Sequence, residues 1–427
     1  MLSIYQLFDC KNERDGMSEW KTYKYTDIAT IVGGGTPKTT EVAYWNGKIP
    51  WISIKDLVGT IKYVYSTEKY ITELGLTKSS AKLLHEGDIV ISARGTIGEI
   101  AILSCPMSFN QSCFGICANE NIVDGTFLYY LTKTKINALK AVSYGSVFDT
   151  ITSSTFENLE ISLPPLPEQK RIAGILSALD DKIELNRRIN ANLEAQAMAL
   201  YKHWFVDFEF PNSAEKPYKS SGGKMIDSDF GPIPAGWHIG KVNDLGIIIC
   251  GKTPSKAIAA NYGDAIPFIK IPDMHNHVFV HKSDEMLSIV GSDSQIKKLL
   301  PPYSVLVSCI ATVGLVSMNV VPSHTNQQIN SVIPNDVIYR YYLYLMFKNM
   351  ALDLQNYGRG GTATLNVNTS TFANIKVLLP SRQILEWFYL RIQSMFELIR
   401  YNQEEIYNLS SIRNALLHKL IREEIKM

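Results

Sequence analysis

The chain has 427 residues, of which 46% are apolar and 19% are charged, and its formal net charge is +1. A chain of this length can bury two or three hydrophobic cores, and its composition is that of an ordinary globular protein rather than a disulfide-stapled one. The small net charge excludes a protein coated with positive charge, but it leaves room for local basic faces.

Several features of the sequence predict a cytoplasmic protein. MLSIYQLFDCKNERDG (1–16) has neither the basic start nor the long apolar core of a signal peptide. No apolar run approaches the roughly 18 residues of a membrane span, so we expect no membrane partner. The cysteines are scattered, which suits free thiols in a reducing compartment.

Residues 1–165 are predicted to form a first mixed domain with an N-terminal extension at 1–17. Runs such as IPWISI (49–54) and GDIVISA (87–93) alternate apolar and polar residues or are β-branched, and Gly and Pro lie between them. These patterns indicate short strands joined by turns. One helix, FLYYLTKTKINAL (127–139), interrupts the strands, and the Pro-rich LPPLPEQ ends the domain.

The rest of the chain repeats this order. A central helical region (166–225) leads into a second domain (226–380), and another helical region (381–427) follows. SEWKTYKYTDIATIVGGGTPK (18–38) aligns with AGWHIGKVNDLGIIICGKTPSK (235–256), and the period of about half the chain indicates a duplicated domain. We therefore predict an α/β (α+β) fold. Two mixed domains are separated by two long helices, which pair as an antiparallel coiled coil with pseudo-twofold symmetry.

Both helical regions carry apolar residues at alternating steps of three and four over four heptads, which is typical of a coiled coil. About 30 paired residues would give a rod of roughly 45 Å with one domain at each end. Asn186 and Asn402 occupy the same seam position, where a polar residue fixes register. The alternative is two unrelated amphipathic helices, each packed on its own domain. The predicted seam comprises Leu176, Leu179, Ile183, Asn186, Leu193, Leu200, Ile399, Asn402, Ile406, Leu409 and Leu416.

Three motifs are typical of enzymes or metal sites, and each is weak here. GIIICGKT (246–253) fits the phosphate loop G-x-x-x-x-G-K-[ST], but its duplicate ATIVGGGT (29–36) lacks the lysine, and three isoleucines prefer a strand. LPPYS (300–304) resembles the [ND]-PP-[YF] motif of adenine methyltransferases, but Leu300 cannot accept the amino hydrogen bond. The H-x-H-x3-H spacing of residues 275–281 has no counterpart in the first copy. We predict no catalytic residue, metal or cofactor in this chain; a methyltransferase or a P-loop nucleotidase is the alternative.

Polar and basic residues recur at turns of both domains. Arg, Lys, Asn and Gln read base edges, whereas Lys, Ser and Thr also hold phosphates. Each alone is more often a solvated surface residue, but recurrence favours DNA contact, and differences such as Arg94 against Cys309 would let the domains read different sequences. The predicted contacts in the first domain are Lys38, Lys55, Arg94, Thr96, Asn110, Gln111, Tyr144 and Ser146. Those in the second domain are Lys252, Lys256, Lys270, Asn326, Gln327, Arg359 and Thr362.

The chain resembles the specificity subunits of type I restriction–modification systems. The resemblance is carried by LPPLPEQKRIAGILSALDDKIELNRRINANLEAQAMALYKHWFVDFEFP (163–211), with GPIPAGW (231–237), ARGTIG and FNQS. The resemblance covers essentially the whole chain. In the second helical region, LLPSRQILEWF lacks the fuller PPLPEQ form, so we expect the two helical regions to differ as docking surfaces for partner subunits.

The resemblance implies two target-recognition domains, each reading one half of a split sequence in double-stranded DNA. It implies a coiled coil that sets the gap and docks two modification (methyltransferase) subunits, with restriction/translocase subunits completing the assembly. S-adenosylmethionine, ATP and Mg would then be held by those partners. A third hypothesis is an assembly protein that makes no DNA contact.

Overall fold

The computed structural model describes residues 20–59, 62–143, 150–358 and 365–421. It divides into two compact units. The first unit takes its residues from 1–184 and 408–427, and the second is 185–407. Each long helix therefore contributes residues to both units.

The described part of the first unit combines short strands with short helices. Its strands are β1 (Lys21–Lys24), β2 (Ala29–Gly33), β3 (Trp45–Ile52), β4 (Tyr63–Val64), β5 (Lys69–Ile71), β6 (Leu83–Leu84), β7 (Ile89–Ser92), β8 (Ile100–Leu103), β9 (Met107–Phe109), β10 (Cys113–Ala118) and β11 (Glu160–Leu163). Its helices are α1 (Tyr25–Ile28), α2 (Ile54–Leu57), α3 (Glu73–Thr77), α4 (Gly125–Ser143) and α5 (Ser153–Glu157), with a 3-10 turn at Val42–Tyr44.

These strands build two stacked sheets in the first unit. One sheet has the order β2-β10-β7-β8-β4, and the other has the order β5-β3-β9-β6, while β1 pairs with β11. The central strand β7 is buried on both faces: Ile89 and Ile91 pack with residues of α4, whereas Val90 packs with residues of the other sheet. Because side chains alternate across a strand, the continuous apolar run IVI serves two cores at once.

The first long helix, α6 (Leu166–Phe205), follows β11 and leads into the second unit. The strands there are β12 (Met225–Ile226), β13 (Ile233–Pro234), β14 (His238–Lys241), β15 (Gly246–Cys250), β16 (Tyr262–Ile269), β17 (Phe279–Val280), β18 (Met286–Leu287), β19 (Val305–Ser308), β20 (Val316–Asn319), β21 (His324–Thr325), β22 (Ile329–Pro334) and β23 (Lys376–Leu379). The helices are α7 (Val242–Leu245), α8 (Ile271–Met274), α9 (Ile289–Asp293), α10 (Tyr339–Asn349), α11 (Ala351–Tyr357), α12 (Thr369–Ala373) and α13 (Arg382–Ile421), with 3-10 turns at Ala259–Asn261 and Ile296–Lys298.

The second unit repeats the topology of the first. Its five-stranded sheet has the order β15-β22-β19-β20-β17, and β18-β16-β21 form the second sheet. β19 divides its side chains as β7 does, with Val305 and Val307 in one core and Leu306 in the other. The duplicated mixed α/β fold predicted from the sequence is confirmed. One difference is that the helix of the second unit that corresponds to α4 is broken at Met350 into α10 and α11.

The two 40-residue helices, α6 and α13, are paired antiparallel, as the sequence predicts. In the second unit, Asn402 Nδ2 donates to Asn190 Oδ1 at 2.9 Å, and Asn186 Nδ2 donates to Glu405 Oε2 at 2.6 Å. Residue numbers at these contacts rise along α6 while they fall along α13, so the two helices are antiparallel. None of the described helices is long and apolar enough to cross a membrane.

The buried face of the coil is wider than a strict heptad seam. Among the predicted seam residues, some are buried: Leu176, Ile183, Asn186, Ile399 and Asn402. Others are half-buried: Leu179, Leu193, Leu200, Ile406, Leu409 and Leu416. Neighbours that a heptad leaves outside the seam are buried instead, among them Asp180, Tyr201 and Phe396. The reason is that the part of each helix that belongs to a given unit also packs against the domain of that unit.

A buried ion pair joins the two helices within the first unit. Arg413 Nη1 donates to Asp180 Oδ1 at 2.6 Å, and Tyr130 Oη donates to Asp180 Oδ2 at 2.8 Å. Asp180 is fully buried and Arg413 is 14% exposed. Burial and the adjacent Asp180 carboxylate raise the pKa of Tyr130 far above its usual value, so its hydroxyl stays protonated and donates.

Candidate nucleic-acid interface

Four loops of the first unit meet at one end of its five-stranded sheet. β2 and β7 both run antiparallel to β10, so the segments after β2 and β7 lie beside the segment before β10. Main-chain hydrogen bonds join them: Gly35 N to Phe109 O at 3.0 Å, Ala93 N to Ser112 O at 2.8 Å and Ile151 N to Ala93 O at 3.0 Å. We name this surface, formed by residues 34–38, 93–99, 110–112 and 150–152, the first loop edge.

The second unit has an equivalent surface. Lys252 N donates to Thr325 O at 2.9 Å, Cys309 N to Gln328 O at 2.8 Å and Val367 N to Cys309 O at 2.9 Å. Residues 251–256, 309–315, 325–328 and 365–367 therefore form a second loop edge. Both edges are held by backbone groups, which leaves many of their side chains available to a ligand.

A threonine holds a glutamine at each edge. Thr36 Oγ1 donates to Gln111 Oε1, and Thr253 Oγ1 donates to Gln327 Oε1 at 2.6 Å. Within the described residues, neither glutamine Nε2 has a partner, and both glutamines are exposed. Glutamine recognises adenine through two bonds to its N6 and N7 edge, and a fixed amide loses less entropy on binding.

Asn110 and Asn326 have a structural task at the same edges. Asn110 Oδ1 accepts from Ser112 N at 3.0 Å, and Asn326 Oδ1 accepts from Gln328 N at 3.1 Å. This side-chain-to-backbone bond is an Asx turn, which fixes the local chain direction. The carbonyl oxygen of each amide is thus used inside the turn that presents the neighbouring glutamine.

The GIIICGKT stretch is a strand followed by a close backbone contact. Residues 246–250 form β15, and no helix begins in the described residues directly after it. A Cβ at Gly251 would lie 2.2 Å from Asn326 O and 2.4 Å from Thr325 O. Gly251 is therefore required by packing, and Lys252 is exposed at the second loop edge. These residues do not fit a nucleotide phosphate, because a phosphate loop needs open N–H groups at a helix N-terminus.

Gly251→Ala should destabilise the second unit by roughly 1–3 kcal/mol, because the added methyl must displace backbone rather than a flexible side chain. Urea denaturation measures the change. Gly33→Ala is the matched control, since nothing lies within 4 Å of its added Cβ. An equal response of the two variants would contradict the packing role of Gly251.

The predicted cations differ in their surroundings. Lys38, Lys55, Arg94 and Lys252 are exposed and form no ion pair within the described residues. In contrast, Lys256 and Lys270 both pair with Glu285, Lys256 at 3.4 Å. The hydrogen bond from Lys270 lowers the pKa of Glu285, so this carboxylate is ionised and compensates the two lysines.

One sequence equivalence is wrong in register. β7 and β19 end at Ser92 and Ser308, which opposes Arg94 to Ile310 rather than to Cys309. Alignment of short strands by residue type alone does not fix such a one-residue shift. At the other predicted lysines, β3 and β16 both end directly before a short helix, so Lys270 is equivalent to Ser53, and Lys55 lies inside α2.

Some predicted residues are not described, and one basic residue was missed. Tyr144, Ser146, Arg359 and Thr362 lie outside the described residues. Thr96 is exposed in the turn after Arg94. Lys140 was not predicted, yet its Nζ lies 3.5 Å from the position that a Cβ of Gly98 would take, at the first loop edge. The sequence feature that could have indicated Lys140 is its position in the last turn of α4.

The H-x-H-x3-H motif of residues 275–281 does not assemble a metal site within the described residues. Among the described residues, no group of three or more His, Cys, Asp or Glu side chains could hold a metal ion. Burial lowers the pKa of His277 and of His281, which keeps both rings neutral near pH 7.

Gln169 of the PPLPEQ segment is buried and fastens the start of α6 to the first domain. Its side chain accepts a hydrogen bond from Asp124 N and donates to Ile122 O and Pro164 O.

Comparison with known proteins agrees with this architecture. The family model described as "Type I restriction modification DNA specificity domain" matches residues 17–195 and 234–426. The HindI specificity subunit of Haemophilus influenzae is 36% identical, covering 96% of this chain and 100% of the relative. The MjaIX specificity subunit of Methanocaldococcus jannaschii is 30% identical, covering 96% and 94%.

A solved structure supports the fold independently. The S subunit of a type I restriction–modification system from M. genitalium superposes with a TM-score of 0.59 at 14% identity, covering 96% of this chain and 98% of that one. At this identity the likeness concerns the fold alone. The family model matches most of this chain, and the HindI relative is similar over nearly all of it. The chain therefore belongs to the family of type I restriction–modification DNA specificity subunits.

Proposed function

We propose that this chain recognises a bipartite DNA target, with each loop edge reading one half. The observation that carries the proposal is the repeated arrangement of a Thr-held glutamine and an exposed lysine, Lys38 or Lys252, at the same end of the equivalent sheet in both units. Neither lysine forms an ion pair within the described residues. A single binding surface would not need two such edges.

The chemistry of the edges supports a division of tasks. Gln111 and Gln327 offer amide groups suited to base edges, whereas Lys38 and Lys252 are flexible point charges suited to phosphates. Phosphate contacts release counterions, so affinity would fall with salt while base preference would remain. A net charge of +1 does not oppose this proposal, because a few local cations such as Lys38 and Lys252 suffice for phosphate contacts.

The long helices would set the gap between the half-sites and dock two modification subunits. Leu390, Leu398 and Tyr401 are 63%, 44% and 59% exposed, and a period of 100° per residue puts them on one face of α13. Such a row of exposed apolar side chains is typical of a protein-binding surface. The methyltransferase partners would hold S-adenosylmethionine, restriction/translocase partners would use ATP and Mg, and this chain itself would be non-catalytic.

Exchange of one domain tests the proposal. Residues 20–165 would be replaced by the matching segment of a relative, and methylated adenines would be mapped in cells carrying the complete system. We expect one half of the recognised sequence to change and the other half to stay, because each edge is built within its own unit. The reciprocal exchange of residues 237–380 should change only the other half. A change in both halves, or in neither, would contradict the two-reader proposal.

A further inference from the structure

One equivalent position of the two loop edges carries chemically different side chains. Residues 93–99 and 309–315 are hairpin turns that share three hydrogen bonds. Ser92 N donates to Glu99 O at 2.8 Å, Gly98 N to Ser92 O at 3.0 Å and Glu99 N to Ser92 Oγ at 2.9 Å. Their counterparts are Ser308 N to Leu315 O at 2.9 Å, Gly314 N to Ser308 O at 3.0 Å and Leu315 N to Ser308 Oγ at 2.9 Å.

The backbone of both turns is the same although their sequences differ. Gly95 and Ala311 follow the position of interest with φ of 68° and 63°, and Gly98 and Gly314 have φ of 90° and 99°. An alanine in the left-handed region costs energy and persists only where the surrounding bonds impose it. The bonds of Ala93 and Cys309 to the adjoining loops complete the restraint. Residues 94 and 310 therefore project from turns of the same backbone geometry.

The side chains at this position suit different bases. Arg94 is exposed and has no ion pair or hydrogen bond among the described residues, so its five donors are available. Arginine forms two parallel bonds to O6 and N7 of guanine, and no other base pair offers that pattern. Ile310 is half-buried beside Asn366 and has no polar atom, which suits contact with the 5-methyl group of thymine.

We infer that Arg94 reads a guanine in the half-site of the first unit, and that Ile310 contacts a thymine methyl group at the corresponding place of the other half-site. The inference rests on the proposed function and goes beyond it by assigning one base to each edge. It also explains why the two edges need not read the same sequence although their folds are equal.

The test compares Arg94→Ile, Ile310→Arg and the unchanged chain, each assembled with its modification subunits. Adenine methylation is mapped first to give the target. Binding is then measured, over a range of salt concentrations, to duplexes that carry each of the four base pairs at every position of both half-sites. For the unchanged chain we expect a guanine preference of about 10- to 100-fold at one position of the first half-site. Arg94→Ile should abolish that preference, and Ile310→Arg should create a guanine preference at one position of the other half-site.

Lys38→Met is the matched control at the same edge. Because Lys38 is proposed as a phosphate contact, Lys38→Met should lower affinity equally for all four base pairs and reduce the salt slope by about 0.9. If Arg94→Ile behaves in this way, or changes nothing, the inference is overturned. If the unchanged chain has no bipartite target at all, the proposed function fails, which is a separate outcome visible before any variant is compared.

Discussion

Insertion of one heptad into each long helix, between Glu184 and Leu185 and between Tyr407 and Asn408, should lengthen the gap between the two half-sites by about three base pairs. Seven helical residues add about 10.5 Å, and B-DNA rises about 3.4 Å per base pair. A sequence with the same apolar spacing keeps the seam in phase. Mapping of methylated adenines, with and without the insertions, measures the gap directly.

The site of this insertion follows from the structure. Both insertion points lie at the boundary between the two units, so the contacts inside each unit stay intact. The two insertion points also face each other across the coil, because Asn186, just after the point in α6, bonds to Glu405, just before the point in α13. The control is a heptad in α6 alone, which leaves α13 unmatched and should abolish methylation. An unchanged gap in the doubly extended chain would refute the idea that the coil acts as a ruler.

Removal of the Arg413 guanidinium should cost the first unit about 3–5 kcal/mol of unfolding free energy. Asp180 is fully buried, and Arg413→Met removes the cation that bonds to it directly. Among the described residues its carboxylate then keeps the hydrogen bond from the Tyr130 hydroxyl and the weaker electrostatic interaction with Lys133. A buried charge without a counter-charge is among the largest causes of destabilisation by a single substitution. Urea denaturation of the full chain provides the measurement.

Two variants separate the buried charge from the loss of a long side chain. Arg400 lies on the same helix and pairs with Glu397 and Glu404 at the surface, so Arg400→Met should cost no more than about 1 kcal/mol. The double variant Asp180→Asn with Arg413→Gln removes both charges and keeps polar partners, and it should recover most of the loss. If Arg413→Met and Arg400→Met are equally stable, the buried pair contributes no more than a surface pair.

Much of the fold could be predicted because it depends on repeated local patterns. The long helices follow from the heptads of 166–205 and 382–421, and the central strands follow from the short β-branched runs around Ile89 and Val305. Because the domain is duplicated, each element is indicated twice in the sequence. Comparison of GIIICGKT with ATIVGGGT was enough to favour a strand, and β15 is that strand. Burial of Asp180 could not be predicted, since a heptad assigns an aspartate to the solvent and its partner Arg413 is 233 residues away.

The candidate site was less predictable for the same reason. The sequence singled out Gln111 and Gln327 only as recurring polar residues. The hydrogen bonds that Thr36 and Thr253 donate to them depend on loops that are far apart in the chain. It opposed Arg94 to Cys309, because the register of two four-residue strands is set by main-chain bonds and not by residue type. Asn110 was predicted only as a DNA contact, and the Asx turn that its Oδ1 closes with Ser112 N was not predicted.

The loop edges are assembled from main-chain bonds, and this has a consequence for how such a protein can change over generations. Because the turn around Arg94 and the turn around Ile310 keep one geometry with unrelated side chains, a single codon change there is close to neutral for folding. Many substitutions at these turn positions can therefore accumulate while the domain still folds. A new preference then needs one mutation, and the duplicated architecture lets either half explore while the other is retained.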